Sequence, residues 1–288
     1  MTLTLRFWGT RGSIPSPGAH TARYGGNTPC LEVRTGSGAL LILDAGTGIR
    51  ALGRALEAVA DGAPVVADLF LSHPHWDHIQ GIPFFAPLYR RGNRLRVWSG
   101  AHAAPDVRRQ LHEQMSSPGF PVDFDALDAT VEFGTLDGAL TGKDFRVETI
   151  DLRHPGGSIG YKIEEGNAGG AGLVYLSDNE LGDAPGYESD PGWRRRLVAF
   201  ARGASVLVHD AMYTAEEYAA HRGWGHSHDR QAVDLALEAG VRRLVLFHHD
   251  PDRSDREIDA RVADCRALAE GRGGLEIMAA AEGLALTI

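Results

Sequence analysis

Two cysteines in 288 residues, Cys30 and Cys265, are too few and too far apart for a disulfide framework or a paired-thiolate zinc motif, and they suit a reducing compartment. No segment approaches the roughly 18 consecutive apolar residues that a membrane-spanning helix requires. The opening MTLTLRFWGTRGSIP also lacks the basic-then-apolar order of a secretory leader. The expectation is a soluble, cytoplasmic protein with no membrane partner. Positive charge is in short supply as well: 29 Lys and Arg against 38 Asp and Glu leave a formal net charge of −9. That balance argues against a surface that grips nucleic acid by neutralising phosphates, despite short basic clusters at RRGNRLR and at 194–196. A small anion stays compatible, because bound cations supply charge that the side chains do not. No linker-like composition or internal repeat divides the chain, which reads as one domain over 1–288 and is compatible with a homo-oligomer.

What the sequence does contain is a series of short apolar runs of strand length: LLILD, DLFLS, LRVWS, FRVETIDL, GLVYLS, ASVLVHD and RLVLFHH. Between some of them lie helix patterns. GIRALGRALEAVA follows the turn DAGTG, TAEEYAAH opens at Thr214 with Glu217, and SDREIDARVADCRALAE opens at Ser254 with Glu257; DRQAVDLALEAG is a further helix. Strands with helices after them in both halves imply layered sheets covered by helices. Two stretches read as excursions: 100–142, with Pro105, Pro118 and Pro121 and no sustained period, and the turn-rich 178–193.

The decisive regularity is where the histidines and acids fall. DLFLS leads into His73, His75, Asp77 and His78; TIDLR into His154; VYLS into Asp178; VLV into His209 and Asp210; VLF into His248 and His249. In sheet-based α/β folds, sites gather beyond the strand ends, so these distant positions can meet. Imidazoles and carboxylates without thiolates suit zinc, and also manganese or iron. His73 and His75, two apart in an extended segment, can reach one ion, while Asp77 and His78, further round the loop, face a second. With Asp178 as a bridge, one divalent ion takes His73, His75 and His154, and the other Asp77, His78 and His248. Such a pair, roughly 3.5 to 4 Å apart, can hold a hydroxide nucleophile.

HPHWDH resembles the H-x-H-x-D-H signature of the metallo-β-lactamase superfamily, and His154, Asp178 and His248 follow in the order that superfamily uses. The resemblance runs from LILDAGTG to LVLFHHD and implies an αββα sandwich with its site at one edge of the two sheets. Within it, GWGHSHDRQAVDLALEAGVRRLVLFHH resembles the phosphodiesterase branch that includes ribonuclease Z and bacterial cyclic phosphodiesterases. That likeness implies a catalytic role for His226, with Asp210 orienting it and Asp77 acting beside the metals. A histidine with a pKa near 6.5 can protonate the alkoxide that leaves a phosphodiester.

The implied activity is hydrolysis of a small phosphodiester, open or cyclic, by hydroxide held between the two ions, with His226 as proton donor. A transfer RNA 3′ endonuclease, a lactam, lactone or thioester hydrolase, and a metal-binding sensor are the alternatives. Ribonuclease Z carries a basic, Gly-rich arm for gripping transfer RNA, and no counterpart to it stands out here. In FWGTRGSIPSPGAHTARYGGNTPCLEV, which resembles the opening of the same hydrolases, Arg11, Arg23 or Asn27 could contact a phosphate. Asp44 is expected to support the ligand loop, His209 to be structural, and His20, His102, His112, His221 and His228 to lie outside the site.

Overall fold

Leu41 and Leu43 face one way along their strand and Leu40 and Ile42 the other, yet all four are buried. This is why so many strands read as unbroken apolar runs: each lies between a second sheet on one side and helices on the other. The computed structural model describes residues 3–101, 104–166, 172–187, 190 and 192–288, so His102 lies outside the described residues. The first sheet contains β1 (Thr4–Gly9), β2 (Cys30–Arg34), β3 (Leu40–Leu43), β4 (Val66–Phe70), β5 (Arg94–Gly100) and β6 (Thr130–Leu136). The second contains β7 (Ala139–Thr141), β8 (Phe145–Leu152), β9 (Ser158–Glu165), β10 (Leu173–Leu176), β11 (Val206–Asp210), β12 (Arg243–Phe247) and β13 (Glu276–Ala279). A final strand, β14 (Ala285–Thr287), returns to the first sheet beside β1.

The spatial orders are β14-β1-β2-β3-β4-β5-β6 and β13-β12-β11-β10-β9-β8-β7. In each sheet the pairings comprise an antiparallel block followed by a parallel one, with the changes at β3 and β10. The halves therefore share a connectivity that their sequences do not advertise.

Phe7, Phe70, Tyr161, Tyr175, Val208 and Phe247 fill the layer between the sheets. Helix α1 (Ile49–Ala60) lies on the outer face of the first sheet, as does α3 (Ala104–Gln114), while α2 (Trp76–Ile79) is one turn inside the HPHWDH loop. The outer face of the second sheet carries α4 (Trp193–Ala201), α6 (Asp229–Glu238) and α7 (Asp255–Ala269); α5 (Ala215–Tyr218) is a single turn nearby. The result is the αββα sandwich expected from the resemblance. Thr214 with Glu217 and Ser254 with Glu257 both form reciprocal capping boxes. His228, which carried no pattern in the sequence, caps α6 in the same way, with Gln231 as its partner.

One expectation is corrected. Residues 100–142 are no patternless excursion, since α3, β6 and the start of the β7–β8 hairpin lie there. Exposure of one face of α3 and partial burial along β6 blur both periodicities.

Candidate active site

The parallel strands β3, β4, β10, β11 and β12 all finish at the same edge, so the residues that follow them share one region of space. His73, His75, His154 and Asp178 offer ligand atoms that all lie within 4.8 Å of one another. The same holds for Asp77, His78, Asp178 and His248. Asp178 belongs to both groups and divides its oxygens between them. Its Oδ2 lies 3.6 Å from His73 Nε2 and 3.7 Å from His154 Nε2. Its Oδ1 is 3.1 Å from His78 Nε2 and 3.2 Å from His248 Nε2. Asp77 Oδ2 completes the second group at 3.3 Å from His78 Nε2 and 3.2 Å from His248 Nε2. In the first group His75 turns Nδ1 toward His154 Nε2, 2.9 Å away.

Two features favour cations between these atoms. His73 Nε2 is buried with no hydrogen-bond partner, a costly arrangement for an imidazole unless another electrophile takes the lone pair. His78 Nε2 faces the two carboxylates of Asp77 and Asp178, a concentration of negative charge that a cation would offset. The opposite ring nitrogens are engaged: His78 Nδ1 lies 2.8 Å from Asp44 Oδ2, His154 Nδ1 donates to the Gly225 carbonyl at 2.9 Å, and His73 Nδ1 lies 3.0 Å from Ser72 Oγ. Such bonds fix the tautomer and leave Nε2 free to bind metal. Burial holds the His73 imidazole well below its ordinary value and brings His154 down to about 4, so both stay neutral. Nitrogen and oxygen donors without sulfur fit a divalent ion such as zinc or manganese.

The model of the β-lactamase superfamily domain matches residues 40–249, from β3 to the residue after His248. The chain belongs to the metallo-β-lactamase superfamily. A ribonuclease Z from Gemmatimonas aurantiaca is 30% identical over 96% of both chains. Among solved structures, the metallo-β-lactamase fold protein YhfI from Bacillus subtilis superposes with a TM-score of 0.66 at 19% identity, covering 100% of this chain and 99% of its own. A diphosphatase from the PhnP family gives 0.65 at 18% identity, covering 99% and 97%. At that identity the two structures speak for the fold alone.

Beside these two clusters, His226 Nδ1 lies 2.7 Å from Asp210 Oδ2, and the His226 ring stacks on that of His248 with centroids 5.0 Å apart. Burial disfavours charge on His226, yet the Asp210 carboxylate, with Asp178 and Asp77 beyond, outweighs it and raises the imidazole to about 9. Asp210 Oδ1 also accepts from the Met212 amide, which fixes the carboxylate. His209, next to Asp210, bonds to the Asp210 carbonyl and to Asn179 instead. His249 donates to the Ala280 carbonyl, and burial brings it down to about 3.

The N-terminal loop departs from expectation. Arg11 is fully buried, with its guanidinium on the carbonyls of Gly25, Asp250 and Arg253; Arg23 is paired with Asp259, and Asn27 with Glu282. Each of them ties the loop to the C-terminal half. The loop reaches the site by another route. The Ser13 amide donates to Asp77 Oδ2 at 2.8 Å, and a β-carbon on Gly12 would stand 2.4 Å from the His248 ring. Glycine is thus required for the loop to close over that imidazole.

Sequence reasoning also passed over Glu180. This fully buried carboxylate accepts from the amides of Gly223 and Gly225 and from the hydroxyls of Tyr187 and Tyr218. It thereby shapes the loop that carries His226. Gly225 sits there at φ +88°, where a β-carbon would fall 2.1 Å from His154 Nδ1. The only signal in the sequence was the acid's position two residues after Asp178.

Proposed function

We propose that the protein is a dinuclear, metal-dependent hydrolase of small phosphodiesters, with His73, His75 and His154 on one ion, Asp77, His78 and His248 on the other, and Asp178 bridging them. The supporting observation is the division of Asp178 between two clusters, with the Asp210–His226 pair stacked against one of them. Two divalent ions held by these residues, zinc being the choice that suits the donors best, would supply a nucleophile from water at neutral pH and would offset charge on a phosphoryl oxygen. Asp77 orients the second cluster while accepting from the Ser13 amide. Asp210 holds the imidazolium of His226, whose Nε2 carries the proton for the departing alkoxide.

Replacement of His226 by Ala should lower kcat on an alkyl-leaving diester by about 100- to 10,000-fold, the usual worth of a general acid. Zinc content should be unchanged. Activity on bis(p-nitrophenyl) phosphate should fall much less, since p-nitrophenolate leaves without a proton. An equal loss on both substrates, or none on the alkyl ester, would remove His226 from the role of acid.

A precursor transfer RNA is the second reading, favoured by the ribonuclease Z from Gemmatimonas aurantiaca. Two observations favour the small diester. The alignment with that relative spans 322 positions against 288 residues here, so at least 34 of the positions have no counterpart in this chain. The basic clusters are also paired with acids: Arg90 with Glu57, Arg96 with Asp68, Arg194 with Glu238 and Arg196 with Asp190. Cleavage of a precursor transcript, with affinity falling steeply as salt rises, would reverse that preference. A cytoplasmic location accords with the described helices, none of which is long and apolar enough to cross a membrane.

A further inference from the structure

A cavity of about 710 Å³ opens beside the first histidine cluster, between the ends of β5 and β6, the β8–β9 turn and one side of α4. Its mouth adjoins the candidate ligands: Ser72, the neighbour of His73, lies in its wall, and a β-carbon on Gly156 would stand 3.8 Å from His75 Nε2. The walls are largely apolar, with Leu136, Ile150, Ile159, Trp193 and Phe200 contributing. Trp193 is held rigidly. Its Nε1 donates to the Asp151 carbonyl, and the Arg153 guanidinium packs over the ring 4.3 Å from its centroid.

One polar group in this wall has no partner. Ser158 is 5% exposed, its Oγ is buried, and no hydrogen bond reaches it among the described residues. Leaving a hydroxyl so placed unpaired is costly, and a ligand group in the cavity would satisfy it. The charge in the wall also selects. Arg196 is paired with Asp190, whereas Asp137 and Asp151 stand exposed at the rim. A second phosphate would meet those carboxylates with no unpaired cation among the described lining residues. A neutral ring carrying amino donors would meet acceptors.

We propose that this cavity receives the nucleoside portion of the substrate, so that the preferred phosphodiester is a mononucleotide ester with a single negative charge, its base against Trp193 and Phe200 and a polar edge on Ser158 Oγ. The proposal rests on the phosphodiesterase reading for the reaction, but binding can be measured apart from turnover.

The test is titration calorimetry of the zinc-loaded protein with adenosine and cytidine, neither of which has a phosphate to hydrolyse. The comparison is with Ala199→Trp, which fills the cavity from an exposed position on α4, and with Ser158→Ala. Both nucleosides should bind the parent protein, and each variant should weaken them by about tenfold or more, the scale of a mismatched pocket contact. In kinetics, Ala199→Trp should raise KM for a nucleoside cyclic phosphate by the same factor and leave ethylene phosphate, a cyclic diester with no ring to place in the cavity beyond its own, unchanged. No nucleoside binding, or binding indifferent to Ala199→Trp, overturns the proposal whatever is hydrolysed. Binding that behaves as described while no diester is cleaved leaves the cavity assigned and defeats the hydrolase reading instead.

Discussion

Asp44 is a single residue on which the ligand loop depends without contributing to either cluster. Its two oxygens accept from the Ser72 amide and hydroxyl, from His78 Nδ1 and from the Tyr175 hydroxyl at 2.7 to 2.9 Å. Replacing it by Asn would turn an amide NH₂ toward one of those donors and loosen the orientation of His78. Zinc affinity should fall about 10- to 100-fold. Competition with a chromogenic chelator would measure this, and an unchanged affinity would show that His78 needs no such support. At this scale much of the site was legible, because histidines and acids gathered just after buried apolar strands are costly to keep there unless they bind a ligand. Ser13, Gly12 and Glu180 were not legible: an amide donor, an absent side chain and an acid serving backbone amides carry no mark that distinguishes them from ordinary loop residues.

Among the elements, the turn α5 shows how a cap couples distant segments. Glu217 closes the capping box with Thr214 and also takes both ends of the Arg253 guanidinium, at 3.0 and 2.6 Å. Partial burial opposes its ionisation, but Arg253 and the Thr214 amide prevail and bring the carboxyl down to about 2, against 4.5 when free. A carboxylate depressed on folding adds stability above its unfolded value and loses it as the pH falls toward its folded one. The stability gap between the parent protein and Glu217→Gln should therefore be constant above about 4.5 and close as the pH approaches about 2. Chemical denaturation at several pH values reads the gap directly, and one that stayed open at the acid end would contradict the pairing. The boxes at Thr214 and Ser254 were legible because Ser/Thr-x-x-Glu states its own geometry. The cap at His228 was hidden, since an imidazole is seldom used for that purpose, and α3 and β6 were hidden by their half-exposed faces.

For the whole molecule, the clusters join the sheets: His73, Asp77 and His78 follow β4 of the first, while His154, Asp178 and His248 follow strands of the second. Ions bound there would cross-link the two halves in the native state and not in the unfolded chain. Zinc at 100 times its dissociation constant should add about 2.7 kcal/mol for each independent site. Chelation should lower Tm accordingly, and equal melting curves with and without verified zinc would separate the site from the stability of the sandwich. The layered order was legible in the runs that alternate with helices. The shared connectivity of the two halves was not, because strand direction follows from tertiary pairing and leaves no local trace.

Asp178 and His248 adopt left-handed backbone conformations, at φ 50° and 58°, which residues with a β-carbon ordinarily avoid. Such conformations cost about 1 to 3 kcal/mol each and persist where the surroundings enforce them. The fold thus holds these two positions under tension, which at Asp178 is offset by the contacts of its carboxylate with His73, His78, His154 and His248. Burial opposes ionisation of Asp178, yet the His248, His78 and His73 imidazoles outweigh it and hold the carboxyl well below its ordinary range. Glycine there would release the backbone but lose those contacts, so the variant, stripped of zinc, should melt earlier than its similarly stripped parent. A higher melting point would mean that the backbone tension outweighs those contacts.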